Sequence, residues 1–154
     1  MEMIPIIDQL QITLYTLMAA FLGAVIGLER ERAEKPAGMR TMSLIAASSS
    51  LIVSLGTVVN EFYGGLGDPT RALHGVITGI GFLGAGTIAI NNRVSRGGHL
   101  TTAATVFAAA AVGVTVGLGA PVAAFGVTLL ILGALRMGVF LEKIGVKKKY
   151  NPEI

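Results

Sequence analysis

Acidic and basic side chains are scarce in this sequence, and they come in short groups. Glu29, Arg30 and Glu31 form one run, Arg40 follows after a segment holding Pro36 and Gly38, and Asp68 and Arg71 stand three positions apart further on. Carboxylates and guanidiniums at these spacings can pair. Where water is thin a bidentate pair is stronger than an exposed one, and losing either partner strands a charge. Glu31 is therefore expected to pair with Arg40, joined by Glu29, across a reversal that Pro36 and Gly38 make. Asp68 and Arg71 are expected to do similar work elsewhere in the chain. The competing reading of Asp68 is structural, because Asp68-Pro69 supplies a carboxylate N-cap followed by proline at the first helical position. The competing reading of the others is solvated loop charge.

Other chemistry finds little to work with. Cysteine is absent, and the two histidines, His74 and His99, are isolated in sequence, so no recognisable metal motif is present and any metal ligand is unknown. No nucleophile, base and orienting group form a catalytic set. The expectation is a protein that is not an enzyme and needs no cofactor. Gly79-Ile80-Gly81-Phe82-Leu83-Gly84 matches the G-x-G-x-x-G fingerprint, but it lies inside an apolar run rather than between a strand and a helix. Nucleotide binding is rejected there, and no nucleic-acid partner is expected.

The elements that must position these groups follow from composition. Of 154 residues, 53% are hydrophobic and only 14% charged, with a mean hydropathy of +0.72. That excludes an ordinary soluble domain. Apolar runs at 10–28, 41–59, 72–90, 100–118 and 121–139 are each about 19 residues long, enough to cross roughly 30 Å of hydrocarbon as helices. The fold class is therefore all-α, a polytopic transmembrane bundle of about five helices in a single domain spanning 1–154, with the lipid bilayer as its solvent. Met1 to Gln11 holds no Lys or Arg and carries Glu2 and Asp8, so a cleaved signal is not expected.

Basic residues alternate along the chain. The first loop has Arg30, Arg32, Lys35 and Arg40, the second Arg71, the third Arg93 and Arg96, and the fourth none, while the final segment holds Arg136, Lys143 and Lys147 to Lys149. The positive-inside rule then places the N-terminus outside and the C-terminus in the cytoplasm. Lys147 to Lys149 mark the inner surface. The break between spans four and five is short, only Gly117, Gly119 and Pro121, and leaves a re-entrant hairpin as an alternative.

Within the spans the distinctive residues are small or hydroxylic. Gly75, Gly79 and Gly86 share one face of span three and Gly81 and Gly84 the other, so this helix is expected to approach neighbours on both sides. Span one repeats the device with Ala19, Gly23 and Gly27. Ser43, Ser50, Ser54 and Thr57 line one face of span two, and Thr101, Thr105 and Thr115 one face of span four. Such hydroxyls either bond to carbonyls locally and across helices, or line a polar path. Arg136 is the only charge within a span, close enough to its inner end to snorkel. Carriers of ions usually place a carboxylate, His or base inside the bundle, and magnesium favours carboxylates with retained water, so a dedicated magnesium pore has little support.

Taken together, Gly27-Leu28-Glu29-Arg30-Glu31, Lys35-Pro36-Ala37-Gly38-Met39-Arg40-Thr41, Asp68-Pro69-Thr70-Arg71, Gly79 to Gly86 and Leu100-Thr101-Thr102-Ala103-Ala104 form an ordered set. The set resembles the membrane domain of the MgtC/SapB family over roughly residues 10 to 140. The resemblance implies a bacterial inner-membrane protein connected with growth in low magnesium, intracellular survival or acid stress. It also implies a regulatory role through contacts in a homo-oligomer or with another membrane protein, the ATP synthase having been proposed for virulence-associated members. A transporter or channel for magnesium or protons is the alternative. Many members carry a soluble C-terminal domain, which is not expected in this chain. Where the family often has aromatic residues at the start of span four, this chain has Phe107 and no Trp.

The alternating loop charges generate a first prediction. A reporter fused after Tyr150 is expected to read cytoplasm and one inserted between Glu61 and Gly67 to read outside; the same side for both would defeat the five-span arrangement.

Overall fold

The computed structural model describes residues 4–62, 64–65, 68, 70–89 and 96–143, the last including 96–98 and 138–143 by their backbone alone. Among the described residues five α-helices follow one another: α1 (Ile6–Arg32), α2 (Met39–Phe62), α3 (Thr70–Ala89), α4 (Arg96–Gly117) and α5 (Pro121–Lys143). The all-helical bundle predicted from the apolar runs is what forms. α1, α2 and α3 are long and apolar enough to cross a membrane, as is α4 from His99, while the apolar described part of α5, Pro121–Met137, is shorter. The protein is thus a multi-pass membrane protein by the length and composition of its helices. Ile90, Pro69, Arg93 and Lys147 to Lys149, all used in the sequence reading, lie outside the described residues, as does the side chain of Arg96.

Helices exceed the apolar runs because their ends extend into polar sequence. α1 has 27 residues against the 19 of its apolar run, which at 1.5 Å per residue is about 40 Å and carries Glu29 and Arg30 beyond the hydrocarbon while they are still helical. α4 and α5 are separate helices joined through Leu118, Gly119 and Ala120. Gly119 takes a left-handed φ of +78°, a conformation that costs glycine nothing, and its N–H bonds the Val116 carbonyl.

The bundle is apolar outside and small inside. Large side chains point outward along α1, with Leu10, Leu14, Leu17 and Phe21 all more than 60% exposed, and Phe82, Val122 and Leu130 do the same on α3 and α5. Buried positions are held by alanines, modest aliphatics and hydroxyls, among them Ala19, Ala46, Val112, Ser50 and Thr102. In lipid an exposed leucine is at home, so association depends on dispersion between closely approaching helices.

Close approach is concentrated on α2. A Cβ added to Gly23 of α1 would overlap the Met42 carbonyl and lie 2.8 Å from the Ala46 Cβ, and one added to Gly27 would lie 2.5 Å from the Met39 Cα. From the other side, a Cβ on Gly113 of α4 would overlap the Ala46 carbonyl, and one on Gly117 would stand 2.7 Å from the Ser50 oxygen. Ala46, fully buried, is held between Gly23 and Gly113. Two glycine pairs, each at i,i+4, thus clasp one helix.

α3 is different. It buries only Val76 and Ile80, and Cβ atoms added at Gly75, Gly79, Gly81 or Gly86 would meet nothing, while one at Gly84 would make an ordinary 3.9 Å contact with Ala103. The sequence reading that α3 packs closely on both faces is corrected here: within the chain those faces are open.

A second prediction follows. Gly113→Leu or Gly23→Leu is expected to lower stability by about 1–3 kcal/mol or more through overpacking, and Gly79→Leu to cost the monomer nothing, with a gain of up to about 1 kcal/mol from helix propensity. Thermal unfolding in detergent, below the concentration at which copies associate, is the measurement; equal losses at Gly79 and Gly113 would contradict the clasp.

Candidate functional site

The contact of Gly27 with Met39 decides the geometry at one end of the bundle. α1 ends at Arg32, and Ala33, Glu34 and Lys35 turn back through N–H bonds to the carbonyls of Glu29, Glu31 and Arg30 respectively. Glu34 takes φ +55°, a left-handed position that most side chains avoid and that here completes the reversal. Gly38 follows, and its missing side chain leaves room for Glu31: an added Cβ would lie 3.1 Å from Glu31 Oε2.

Glu31 then reaches the start of the next helix. Its Oε2 accepts a hydrogen bond from the Met39 N–H at 3.1 Å. The first amides of a helix have no partner of their own and favour negative charge, so the carboxylate serves as a cap supplied by the preceding helix. The predicted Glu31–Arg40 pair does not form, since Arg40 is exposed and takes no part in the ion pair found among the described residues. A charge was read as seeking the opposite charge when an orphan backbone N–H lay nearer.

Glu29 has a partner, and it is adjacent in sequence. Arg30 Nε donates to Glu29 Oε2 at 2.6 Å, with the two side chains 4% and 11% exposed. An arginine this deeply buried is tolerated when its charge is matched, and removing one member of such a pair leaves the other uncompensated. So the site is made of a buried Glu29–Arg30 pair and a Glu31 cap, side by side at the α1–α2 corner.

Asp68 and Arg71 stand at the start of α3. Asp68 Oδ1 accepts from the Thr70 N–H at 2.9 Å and from the Thr70 hydroxyl at 2.6 Å, and the Arg71 N–H bonds the Asp68 carbonyl oxygen. This is the capping arrangement that Asp68 was read to offer. The Thr70 hydroxyl first, then the Thr70 amide, hold the Asp68 carboxyl below its ordinary range, with the charges of His74 and Arg71 adding less. The carboxylate form is the one that caps, so its contribution is present above the ordinary carboxylate pKa and is lost as pH falls through the depressed value. Arg71 and Asp68 are exposed and share no ion pair. Their expected similarity to Glu31 and Arg40 holds only in that each carboxylate caps a helix.

The hydroxyl stripes bond mostly to their own helices. Thr105 and Thr115 donate to the carbonyls of Thr101 and Ala111, and Thr57 to that of Ser54, all at 2.7–2.8 Å. Ser54 instead crosses to α4 and donates to the Gly117 carbonyl at 3.1 Å. Ser43 is half-buried, and Ser50 is fully buried with no partner for its hydroxyl.

One feature escaped the sequence reading. Asp8, Gln11 and Tyr15 of α1, Ser54, Thr57 and Glu61 of α2 and the Gly117–Gly119 turn line a cavity of about 240 Å³ at the other end of the bundle. Asp8 and Glu61 lie 53 positions apart, and only the α1–α2 packing brings them to one cavity. The available signal was that Ser54, Thr57 and Glu61 recur at helical spacing on α2. Among the described residues no three His, Asp or Glu side chains are grouped to hold a metal ion.

Comparison with known proteins bears on this arrangement. The family model described as "MgtC family" matches residues 16–144. The chain is 40% identical to protein SapB of Bacillus subtilis over 143 residues, covering 89% of this chain and 61% of that one. It is 39% identical to protein SrpB of Synechococcus elongatus over 120 residues, covering 73% and 66%. Against protein MgtC of Salmonella typhimurium it is 37% identical over 118 residues, covering 77% and 48%. The chain thus spans about half to two thirds of the length of these relatives, and no solved structure matches it.

Breaking the buried pair with Arg30→Ala is expected to cost about 3 kcal/mol, and Arg40→Ala no more than about 0.5. A Glu31→Ala/Arg40→Ala cycle is expected to be additive within about 0.5 kcal/mol. Unfolding midpoints of the four proteins measure this, and a coupling above 1 kcal/mol would restore the pair that the structure lacks.

Proposed function

The chain belongs to the MgtC family, and on that premise we propose that it is a regulatory protein of the bacterial inner membrane, acting through helix contacts with copies of itself or with another membrane protein. In this reading it serves adaptation to low magnesium or acid stress, carries out no catalysis, and sits with its N-terminus outside and its C-terminus in the cytoplasm. The ATP synthase is the partner that the family resemblance puts forward.

The observation that carries the reading is the open glycine face of α3. Small residues at i,i+4 in a membrane helix permit backbones to approach closely, and the chain spends its glycines of α1 and α4 on that purpose, while a Cβ added at Gly75, Gly79 or Gly81 would meet nothing among the described residues. Beside them a groove of about 310 Å³ runs between α2 and α3, lined by Ser48, Ile52, Gly75, Gly79 and Leu83 among others. A surface shaped for helix contact and unused within the chain supports a protein that works by association.

The alternative, a cation carrier, is favoured by a specific feature as well. The cavity holding Asp8 and Glu61 has two carboxylates and no basic residue among its lining groups. A cation would be attracted there, but the hydroxyls beyond it bond mostly to their own helices.

The expected outcome of Gly79→Leu is weakened self-association or partner capture in detergent, and impaired growth in low magnesium, with no loss of monomer stability. The purified parent in liposomes is expected to give no magnesium or proton flux. Flux that disappears in Asp8→Asn/Glu61→Gln would replace this reading with the carrier, and normal association and growth of Gly79→Leu would remove the α3 contact.

A further inference from the structure

Two carboxylates of the α1–α2 corner already have partners. Glu29 is held by the buried Arg30 and Glu31 by the Met39 N–H. Three cations of the same corner, Arg32, Lys35 and Arg40, are exposed and take no part in the ion pair found among the described residues, and the exposed carboxylates beside them are Glu31 and Glu34. Three exposed cations against two exposed carboxylates leave the outer surface of the corner net cationic by one charge, and the Glu31 carboxylate is drawn toward the Met39 N–H.

Its position relative to the apolar surface is equally specific. Arg32 lies one turn beyond Leu28 on α1, and Arg40 one turn before Leu44 on α2; Leu28 is 38% exposed and Leu44 67%. Residues four apart share a helix face. Each arginine thus stands on the lipid-facing side of its helix at the edge of the apolar surface, and Lys35 lies in the turn between them. Long basic side chains at this depth keep their stems on apolar surface and carry their charge to the phosphate level. The turn that carries them is held by backbone bonds from Ala33, Glu34 and Lys35 and by the Glu31 cap, so the cations are presented from a fixed frame.

We propose that the α1–α2 corner is a docking surface for an anionic phospholipid headgroup, with Arg32, Lys35 and Arg40 supplying the charge and the exposed Leu28 and Leu44 lying along the acyl chains. Charge complementarity identifies the occupant: the surface is cationic, and an anionic lipid offers a phosphate where the charges end and hydrocarbon where the leucines begin. The inference is independent of the regulatory reading, because it needs neither a partner protein nor a particular orientation.

The test uses the whole chain, purified and delipidated in detergent, titrated with phosphatidylglycerol, cardiolipin, phosphatidylcholine or inorganic phosphate and followed by native mass spectrometry and thermal unfolding. The parent is expected to bind and be stabilised by the two anionic lipids over phosphatidylcholine. Arg32→Gln/Lys35→Gln/Arg40→Gln is expected to lose that preference several-fold while unfolding at the parental temperature in phosphatidylcholine alone. Arg32→Lys/Arg40→Lys is expected to keep it, and Arg71→Gln, at the other end of the bundle, to leave it unchanged. Should the triple variant fold poorly, the single Arg40→Gln change is read in its place, with a smaller loss in the same direction. Full preference in the glutamine variants, equal loss in Arg71→Gln, or inorganic phosphate stabilising as well as lipid would each overturn the proposal.

Discussion

The structure depends on how closely two helices can approach α2. In water a bundle gains by hiding its leucines, but in lipid that gain vanishes, and what remains is contact at short range. Gly23 and Gly27 on one side and Gly113 and Gly117 on the other bring neighbouring backbones onto Met39, Met42, Ala46 and Ser50. α1, α2 and α4 consequently form the interior, and α3 and α5 are added around it with few buried side chains of their own.

Local chemistry follows from that approach. Because Gly27 lets α1 meet the first turn of α2, the Glu31 carboxylate comes within reach of the Met39 amide, and the reversal between the helices needs no salt bridge to close it. At the other end the same pairing brings Asp8 and Glu61 to one cavity, and the approach of α4 delivers the Gly117 carbonyl to the Ser54 hydroxyl. These three polar arrangements are thus consequences of contacts between small residues.

The helices and their order were legible because hydrocarbon thickness imposes a length and leaves few charges inside it, and the glycine pair of α1 was legible from its i,i+4 spacing. The same spacing at Gly113 and Gly117 is harder to see, because Gly117 stands next to the Gly119-Pro121 break and has the composition of a loop. For Glu31 the difficulty was physical: a sequence displays charges but does not display which backbone amides are left without partners, so Arg40 looked like the natural mate. Asp68 was easier, because its amide partner lies two residues away. The cavity at Asp8 and Glu61 depends on three segments remote in the chain, and no local pattern announces that. The open faces of α3 show the limit of the glycine rule itself, for spacing states that a helix can approach a neighbour and not whether one stands there.

That last distinction separates the two uses to which this chain puts glycine. Where a Cβ would strike backbone, as at Gly113, the residue is bound up with the fold and its replacement must move a helix. Where a Cβ would meet nothing, as at Gly79, glycine brings no packing within the chain, and yet it carries its usual cost in helix propensity of about 1 kcal/mol relative to alanine. Gly75, Gly79, Gly81 and Gly86 repeat that cost within 12 positions of one helix. Small residues along such a helix leave room for another helix to approach it closely. Its slight burial, at Val76 and Ile80, sets it at the low-stability end of the bundle, where elements that shift or associate are drawn from. The rigid trio of α1, α2 and α4 would then serve as the frame, and α3 as the surface that the frame presents.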